Sequence, residues 1–267
     1  MRIIKAIGIF LSFFVFLVVA CLGHVVITLT GLSSRWQRMS YLTQGLIKFL
    51  AFTLGLKINL KGHKGTLPEQ GNFIISRHLS YVDGLVLGGL WPAIFVSKKE
   101  IANWPVIGWV VTIAGTIFIE RGNKNKIFDS VQSITKTLEN KINIFFFPEG
   151  TSTDGSSLQP FQSAFFKAPV IARANIVPVT ITYRMLDGAA FDWAKRDEIC
   201  WYGGMKFFKH LWNLLKYKCV DVDVTIHEKV LTAPYADNSL SRKDLSQKCF
   251  DIIAQAAGLK ANSLQRQ

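Results

Sequence analysis

Short strand-like runs alternate with helical stretches along the chain after Gly71, and this alternation limits the possible folds more than any other feature. Six runs rich in β-branched and aromatic residues have the composition of strands. They cover residues 72–76, 93–97, 116–120, 142–147, 176–183 and 220–230. Between two of these runs, apolar residues from Ile127 to Leu138 recur at helical spacing. Because strands that alternate with helices form largely parallel, covered sheets, we predict an α/β fold with a mostly parallel central sheet.

Two local patterns add detail to this prediction. The sequence INIFFF at 142–147 is almost continuously apolar, which is typical of a strand buried on both faces of a sheet. Near the end of the chain, Ser241 and Asp244 have the spacing of a capping box at a helix start, and Gly258 suits the end of that helix.

The N-terminal part is strongly apolar, and no charged residue occurs between Ile7 and Leu32. About 20 apolar residues suffice for a helix to cross a bilayer, so this run can span or deeply enter a membrane. A signal peptide is the alternative, because Arg2 and Lys5 precede the run and the residues up to Cys21 loosely resemble a lipoprotein cleavage site. The run continues well beyond Cys21, which favours a retained membrane helix.

A second apolar segment covers residues 41–56 but contains Gln44 and Lys48, which suits an interfacial or re-entrant helix better than a second span. The two helices are expected to form a hairpin seated in the membrane. Basic residues flank both ends of the first segment, so positive charge selects no orientation, and we favour monotopic insertion. We expect residues 1–60 to form this membrane-associated helical segment and residues 61–267 to form the globular domain.

Positive charge limits the partners of the chain. Its 31 lysines and arginines against 18 acidic residues give a net charge of +13, which attracts polyanions. Lys57, Lys61 and Lys64 follow the second apolar segment, as on a surface that faces anionic headgroups; a solvated basic linker is the alternative. Because much of the charge borders apolar helices rather than base-stacking aromatic residues, we predict an anionic membrane as partner and no nucleic acid.

The cysteines limit the redox and metal chemistry of the chain. The four of them form no CxxC pair and have no histidine partners at zinc spacing. We therefore predict neither a disulfide framework nor a metal site, and a reducing compartment is the simpler assumption.

Candidate chemistry is concentrated where the first predicted strand ends. His78 and Asp83 lie five positions apart at this point. A carboxylate can keep one ring nitrogen of a histidine protonated while the other nitrogen accepts a proton, so the pair could deprotonate a hydroxyl. The spacing alone leaves the alternative of a turn histidine and a helix-capping aspartate.

Further polar residues follow other predicted strands. In parallel sheets, ligands collect at the carboxyl ends of the strands. Arg121 ends the third predicted strand and offers a bidentate fork for phosphate, although a surface ion pair is an equal alternative. Residues 148–156 follow the fourth strand as a loop of Gly, Ser and Thr that can expose backbone N–H groups, or that forms a plain turn.

Four segments together carry a resemblance to a known family. HLSYVD (78–83), GTIFIER (115–121), FPEGT (147–151) and IVPVTI (176–181) have the order and approximate spacing of the four motifs of the glycerolipid acyltransferases. The chain resembles the 1-acylglycerol-3-phosphate O-acyltransferases over roughly residues 70–185. The resemblance implies the glycerolipid acyltransferase fold and transfer of a fatty acyl group from acyl-CoA or acyl-carrier protein to lysophosphatidate, which forms phosphatidate without a cofactor.

The resemblance also implies roles for individual residues. His78 is expected to be the general base on the acceptor hydroxyl, and Asp83 is expected to orient it. The acceptor then attacks the thioester directly, so no serine or cysteine nucleophile is needed. The expected substrate-binding residues are Gly115, Thr116 and Arg121 in the second motif, Glu149, Gly150 and Thr151 in the third, and Pro178 in the fourth.

Departures from the family pattern leave the acceptor open. The third motif commonly continues FPEGTRS, whereas this chain has Ser152 in place of the arginine, so a phosphate contact is in doubt. Arg77, before the histidine, either supplies a nearby cation or points away from the site. The third motif and residues 198–215 look similar to the lyso-ornithine lipid acyltransferases. That acceptor is one alternative, and a lipid-binding membrane protein without catalysis is another; the expected location is the cytoplasmic face of the inner membrane.

Residues 205–218 contain an amphipathic pattern. Five apolar side chains fall on one helical face, and lysines and an asparagine lie largely opposite. The apolar residues are Phe207, Phe208, Leu211, Leu214 and Leu215. This pattern fits an interfacial helix and equally a helix packed on the sheet. His210 lies within it and is interpreted as a local hydrogen-bonding residue rather than a catalytic one.

Overall fold

The computed structural model describes residues 1–30, 35–62, 71–120, 124–236 and 241–259. Its helices are α1 (Arg2–Thr30), α2 (Arg35–Leu54), α3 (Tyr81–Leu90), α4 (Ile107–Ile113), α5 (Lys124–Glu139), α6 (Lys167–Ile171), α7 (Phe207–Leu214), α8 (Ala233–Ala236) and α9 (Arg242–Ala256). Its strands are β1 (Leu56–Gly62), β2 (Phe73–Ser76), β3 (Ile94–Lys98), β4 (Ile117–Ile119), β5 (Ile144–Phe146), β6 (Ile176–Leu186), β7 (Ala189–Ala190) and β8 (Val220–Ile226).

One mixed sheet organises the chain, with the strand order β1-β8-β6-β2-β5-β3-β4 and with β7 paired to β6. The pairings of β6 with β8 and with β7 are antiparallel, and the other described pairings are parallel. All six predicted strands are present, and the last one ends at Ile226, with Val230 forming only an isolated bridge to Ile176. The predicted mostly parallel α/β fold is therefore confirmed.

Helices cover both faces of the sheet. Alternate side chains of β2 enter different core clusters: Phe73 and Ile75 pack on the side of α5 and α9, and Ile74 packs on the side of α3 and α7. All three residues of β5 are buried, because this strand lies inside the sheet with helices on both sides. The predicted capping box is present, with Ser241 and Asp244 satisfying each other's backbone N–H groups at the start of α9.

Strand β1 was not predicted from the sequence. Its residues Lys57 and Lys61, with Lys64, predict a surface that faces headgroups or a solvated basic linker. In the structure β1 is an edge strand paired in parallel with β8, and the Lys61 ammonium lies 2.6 Å from the Asp223 carboxylate. Lysine is common on edge strands because it opposes pairing with other chains. The expected boundary between residues 60 and 61 falls inside this strand, and Lys64 lies outside the described residues.

The N-terminal helices form the expected hairpin, with α1 packed against α2 and α2 packed against α3. One face of α1 is buried at Phe16 and Ala20, whereas Ile4 and Phe10 are 75% and 73% exposed. Residues 2–20 are long and apolar enough to cross a membrane. The Lys5 ammonium donates to the carbonyls of Leu54 and Tyr217, both at 2.8 Å, which joins the start of α1 to the ends of α2 and α7.

Helix α7 combines features of both interpretations of residues 205–218. Leu211, Leu214 and Leu215 pack on the sheet, so the inner part of the apolar face is core. Phe208 at its outer edge is 66% exposed, and Trp212, one turn further on, is 45% exposed. The helix therefore packs on the sheet and still presents aromatic side chains outward.

Candidate active site

The first motif occupies the connection between β2 and α3. Ser80 is the N-cap of α3, and its hydroxyl accepts a hydrogen bond from the N–H of Val82. Asp83 Oδ2 in turn accepts from the backbone N–H groups of Leu79 and Ser80, at 2.7 Å and 2.8 Å. This capping box fixes the Asp83 carboxylate in the first turn of the helix.

His78 and Asp83 form the predicted pair. The Nδ1 atom of His78 lies 3.1 Å from Oδ2 of Asp83, and the side chains are 21% and 0% exposed. A carboxylate at this distance favours a proton on Nδ1, which leaves Nε2 as the nitrogen that can accept a proton. Asp83 therefore belongs to the capping box of α3 and also contacts the histidine.

The His78 ring has a second contact that limits its rotation. It stacks on Phe147, the first residue of the third motif, with ring centroids 4.1 Å apart and planes 16° from parallel. β2 and β5 are neighbouring parallel strands, so the residues that follow them meet at the same edge of the sheet. The first and third motifs therefore build one site.

Glu149 joins the two motifs through backbone hydrogen bonds. Its Oε1 atom accepts from the N–H of His78 at 2.7 Å, and Oε2 accepts from the N–H of Gln159 at 2.9 Å. Burial raises the pKa of Glu149 to about 7, against the effect of these hydrogen bonds and of the charges on His78 and Arg77. Because both oxygens accept from the backbone, the carboxylate supports the loop from within.

The rest of the third motif forms a tight turn. The N–H of Gly150 donates to the carbonyl of Phe147, and Gly150 has a φ of +69°, a conformation that favours glycine. The Thr151 hydroxyl accepts a hydrogen bond from the Lys98 ammonium at 3.4 Å. Lys98 is not part of any of the four motifs, but it ends the strand β3, and ligands collect at the carboxyl ends of parallel strands.

Arg77 lies inside the protein, with only 3% of its surface exposed. Its guanidinium donates to the carbonyl of Ile181 at 3.3 Å and lies 5.9 Å from the ring centroid of Trp193. Burial lowers the pKa of Arg77, whereas the nearby charges of Asp83 and Glu149 oppose that change. The sequence left open whether Arg77 supplies a cation near the site or points away from it. In the structure its side chain points inward, close to the carboxylates of Asp83 and Glu149.

The second motif connects the sheet to the N-terminal helices. Gly115 has a φ of +82°, and a β-carbon at this position would lie 2.6 Å from the Trp36 ring of α2. The next residue, Thr116, is half-buried and donates its backbone N–H to the carbonyl of Val111. Arg121, the expected phosphate-binding residue, lies outside the described residues. In the described part of this motif, Gly115 therefore allows the close packing of the motif against Trp36 of α2.

Pro178 of the fourth motif is buried within β6, opposite Ile75 of β2. Proline cannot donate a backbone hydrogen bond and is unusual in a central strand. Its carbonyl accepts from the N–H of His227, just after β8 has ended, so no paired residue of β8 lies opposite Pro178. Pro178 is therefore part of the sheet that supports the site.

Cys200 lies close enough to Asp83 for the two groups to interact electrostatically. It is fully buried, and burial together with the Asp83 charge raises the pKa of its thiol to about 12. A thiol with so high a pKa is a poor nucleophile near neutral pH. Cys200 is therefore unsuited to act as a nucleophile.

Comparison with known proteins agrees with this geometry. Residues 57–182 match the family model described as Acyltransferase. A lyso-ornithine lipid O-acyltransferase of Brucella abortus is 26% identical, over 91% of this chain and 94% of the relative. A 1-acyl-sn-glycerol-3-phosphate acyltransferase of Neisseria meningitidis is 31% identical, over 78% of each chain.

A solved structure shows the same fold. The 1-acyl-sn-glycerophosphate (LPA) acyltransferase PlsC from Thermotoga maritima superposes with a TM-score of 0.61 at 17% identity, over 97% of both chains. The expected fold is thus confirmed from the N-terminal helices to α9. Together with the family match and the relatives, this shows that the chain belongs to the acyltransferase family and is an acyltransferase of the lysolipid type.

Proposed function

We propose that this acyltransferase moves a fatty acyl group from acyl-CoA or acyl-carrier protein to the free hydroxyl of lysophosphatidate, which forms phosphatidate. The observation that carries the proposal is the contact of His78 Nδ1 with Asp83 at the carboxyl edge of the sheet. This arrangement provides a general base whose other nitrogen is free to meet a hydroxyl.

The geometry supports a direct transfer. Nε2 of His78 takes the proton of the acceptor hydroxyl while the oxygen attacks the thioester carbonyl carbon. The new ester bond forms, the carbon–sulfur bond breaks, and the departing sulfur takes the proton from the imidazolium as a free thiol. Holding both substrates at this edge makes the attack effectively intramolecular, and the general base adds a factor of about 10²–10⁴.

One observation supports a phosphate-bearing acceptor. The Lys98 ammonium reaches the third motif at Thr151, where it can approach an anionic headgroup beside His78. We also propose Arg121 as a second cation that binds the phosphate. The other residues proposed to border the substrates are Gly115, Thr116 and Gly150.

A second acceptor, lyso-ornithine lipid, has support of its own. The loop from Glu149 to Gln159 contains no lysine or arginine, and its Asp154 carboxylate lies 3.3 Å from the Arg196 guanidinium. Such a loop suits a zwitterionic headgroup better than a phosphate dianion. Relatives that bear the name lyso-ornithine lipid O-acyltransferase include the one aligned over 91% of this chain.

An acceptor panel tests the function and separates the two acceptors. Membranes containing the protein receive acyl-CoA with lysophosphatidate, lyso-ornithine lipid or no acceptor, and release of free thiol is measured. We expect release that depends on lysophosphatidate and yields phosphatidate. Release only with lyso-ornithine lipid would replace the first acceptor by the second, and release with neither lysolipid would contradict both proposed acceptors.

The location at an anionic membrane is part of the proposal. The hairpin of α1 and α2 exposes apolar side chains, and the outer edge of α7 adds Phe208 and Trp212 on the same face of the sheet. The exposed Lys209 lies beside these aromatic residues, a combination suited to a surface of anionic headgroups. Because acyl-CoA and acyl-carrier protein are cytoplasmic, we place the site on the cytoplasmic face of the inner membrane.

A further inference from the structure

Tyr183 makes a contact with Asp83 that none of the four motifs assigns. Its hydroxyl donates to Oδ1 of Asp83 at 2.6 Å, and the residue is only 3% exposed. An O–H donor at this distance from a carboxylate forms a strong, charge-assisted hydrogen bond. The two residues lie 100 positions apart in the sequence, so the contact exists only in the folded protein.

The sheet explains why Tyr183 reaches the pair. Strand β6 runs parallel to β2, and the last residue of β2, Ser76, lies opposite Val179. β6 continues for several residues past this point, so Tyr183 lies beyond the end of β2, where the His78 connection begins. The pairing of β6 with β8 has an irregularity immediately after Tyr183, and such bulges often redirect side chains beside active sites.

The two oxygens of Asp83 have different partners. Oδ2 faces His78 Nδ1 and the N–H groups of Leu79 and Ser80, whereas Oδ1 accepts from Tyr183. The last torsion of an aspartate is soft, so partners on both oxygens are needed to fix the plane of the carboxylate. That plane decides whether Oδ2 meets Nδ1 of His78 in line.

Tyr183 is suited to this role because it stays protonated. Burial and the Asp83 charge raise the pKa of its hydroxyl well above the usual value of 10. The other titratable groups close to Asp83 are His78, Arg77 and Cys200. Among these, Arg77 donates to the Ile181 carbonyl, so its described hydrogen bond does not hold the carboxylate.

We propose that Tyr183 is a positioning residue, which acts through Asp83 to keep His78 in the tautomer whose Nε2 accepts the hydroxyl proton. The role rests on the proposed activation of an acceptor hydroxyl by His78. It needs no contact between Tyr183 and either substrate.

The variant Tyr183→Phe tests this role, because it removes one hydroxyl and keeps the buried ring. We expect kcat about 10- to 100-fold lower, with little change in KM, as for loss of a hydrogen bond to a charged group. Without the Tyr183 donor, the Asp83 carboxylate can turn away from Nδ1 of His78, which weakens its stabilisation of the imidazolium. The acid limb of the pH–rate profile should therefore move to lower pH.

Tyr235→Phe is the matched control, since Tyr235 is also buried but belongs to the core cluster on the other face of the sheet. It should leave kcat and the acid limb as in the wild type. Unchanged kcat and an unchanged acid limb in Tyr183→Phe would contradict the proposal.

NMR of the His78 ring tests the proposal without a measurement of turnover. The ¹⁵N resonances of the His78 ring in detergent-solubilised protein report its tautomer, whatever acceptor the enzyme uses. We expect the Nδ1–H form in the wild type and in Tyr235→Phe, and a mixture of tautomers in Tyr183→Phe. A pure Nδ1–H form in Tyr183→Phe would overturn the proposal, even if its turnover or stability were lower.

Discussion

The active-site edge and the adjacent helical surface differ in how their side chains meet the surroundings. At the site, Asp83 and Glu149 are buried, and each of their four oxygens accepts at least one hydrogen bond. On the helical surface, Phe10 of α1 and Phe208 of α7 are 73% and 66% exposed. Buried carboxylates whose oxygens all accept hydrogen bonds keep their geometry, whereas exposed apolar groups suit contact with lipid. The difference indicates that separate residues carry the chemistry and the proposed membrane contact.

The largest expected effect separates these two regions. His78→Ala should lower turnover by about 10²–10⁴-fold, because it removes the general base. It should not alter binding to vesicles that contain anionic lipid, since His78 lies outside the exposed apolar surface. Turnover with acyl-CoA and lysolipid, and co-flotation with vesicles, measure the two effects.

His227→Ala is the control for this variant. His227 bonds to the Thr180 hydroxyl at 2.8 Å. Along β6, Thr180 alternates with Val179 and Ile181, which pack on the side of α3, so His227 lies on the other face of the sheet from Asp83. Its turnover should be that of the wild type. Wild-type turnover in His78→Ala would remove the general-base assignment.

The double variant Phe208→Ser and Trp212→Ser examines the other region. It should weaken binding to vesicles of phosphatidylcholine and phosphatidylglycerol by about tenfold or more, because two apolar side chains no longer leave water. Turnover on detergent-solubilised substrates should remain at the wild-type level. Flotation across a series of lipid concentrations measures the change.

Phe128→Ser is the matched control for this surface. Phe128 is 56% exposed on α5, which covers the opposite face of the sheet. Its loss should leave vesicle binding unchanged. Equal weakening in this control and in the double variant would show that α7 has no special contact with lipid.

Gly115→Ala tests the contact between the second motif and the helix α2. The added β-carbon would lie 2.6 Å from the Trp36 ring, at a φ of +82°. We expect the free energy of unfolding to fall by about 1–3 kcal/mol, from strain and overpacking. Denaturant unfolding in detergent measures it, with Gly204→Ala as control, because no atom lies within 4 Å of a β-carbon there. Equal stability of the two variants would contradict the importance of the Trp36 contact.

The smallest expected effect concerns the pH dependence of the polar site. Burial raises the pKa of Glu149 from 4.5 to about 7, so between these values the folded protein keeps a proton that the unfolded chain has lost. Its contribution to the free energy of unfolding therefore falls as the pH rises through this range. Glu149→Gln cannot titrate, so the dependence should become flatter.

The same variant has an effect that does not depend on pH. The glutamine amide places a donor against the N–H of His78 or of Gln159, which costs about 1–3 kcal/mol at every pH. Unfolding at several pH values between 4.5 and 7 separates the two effects, and Glu139→Gln, an exposed change, is the control. An unchanged slope in Glu149→Gln would contradict the raised pKa.

Much of the fold could be predicted because its signals are local. The β5 sequence is apolar on both faces, and the capping box of Ser241 and Asp244 depends on residues three positions apart. β1 was missed although Leu56, Ile58 and Leu60 alternate with polar residues, which is the period of a strand. Its lysines also suit a surface that faces headgroups, and its partner, β8, lies more than 150 positions away. The exposed half of α7 could not be separated from its buried half, since periodicity gives a face but not its partners.

The sequence by itself determined the alternation that makes the sheet mostly parallel, the apolar N-terminus and the His78–Asp83 spacing, because these depend on neighbouring residues. Only the tertiary structure decided which groups surround that pair. Glu149 meets the His78 backbone across 71 positions, Tyr183 meets Asp83 across 100, and Lys98 meets Thr151 across 53. The order of the strands creates these contacts, and no local pattern of side chains specifies that order.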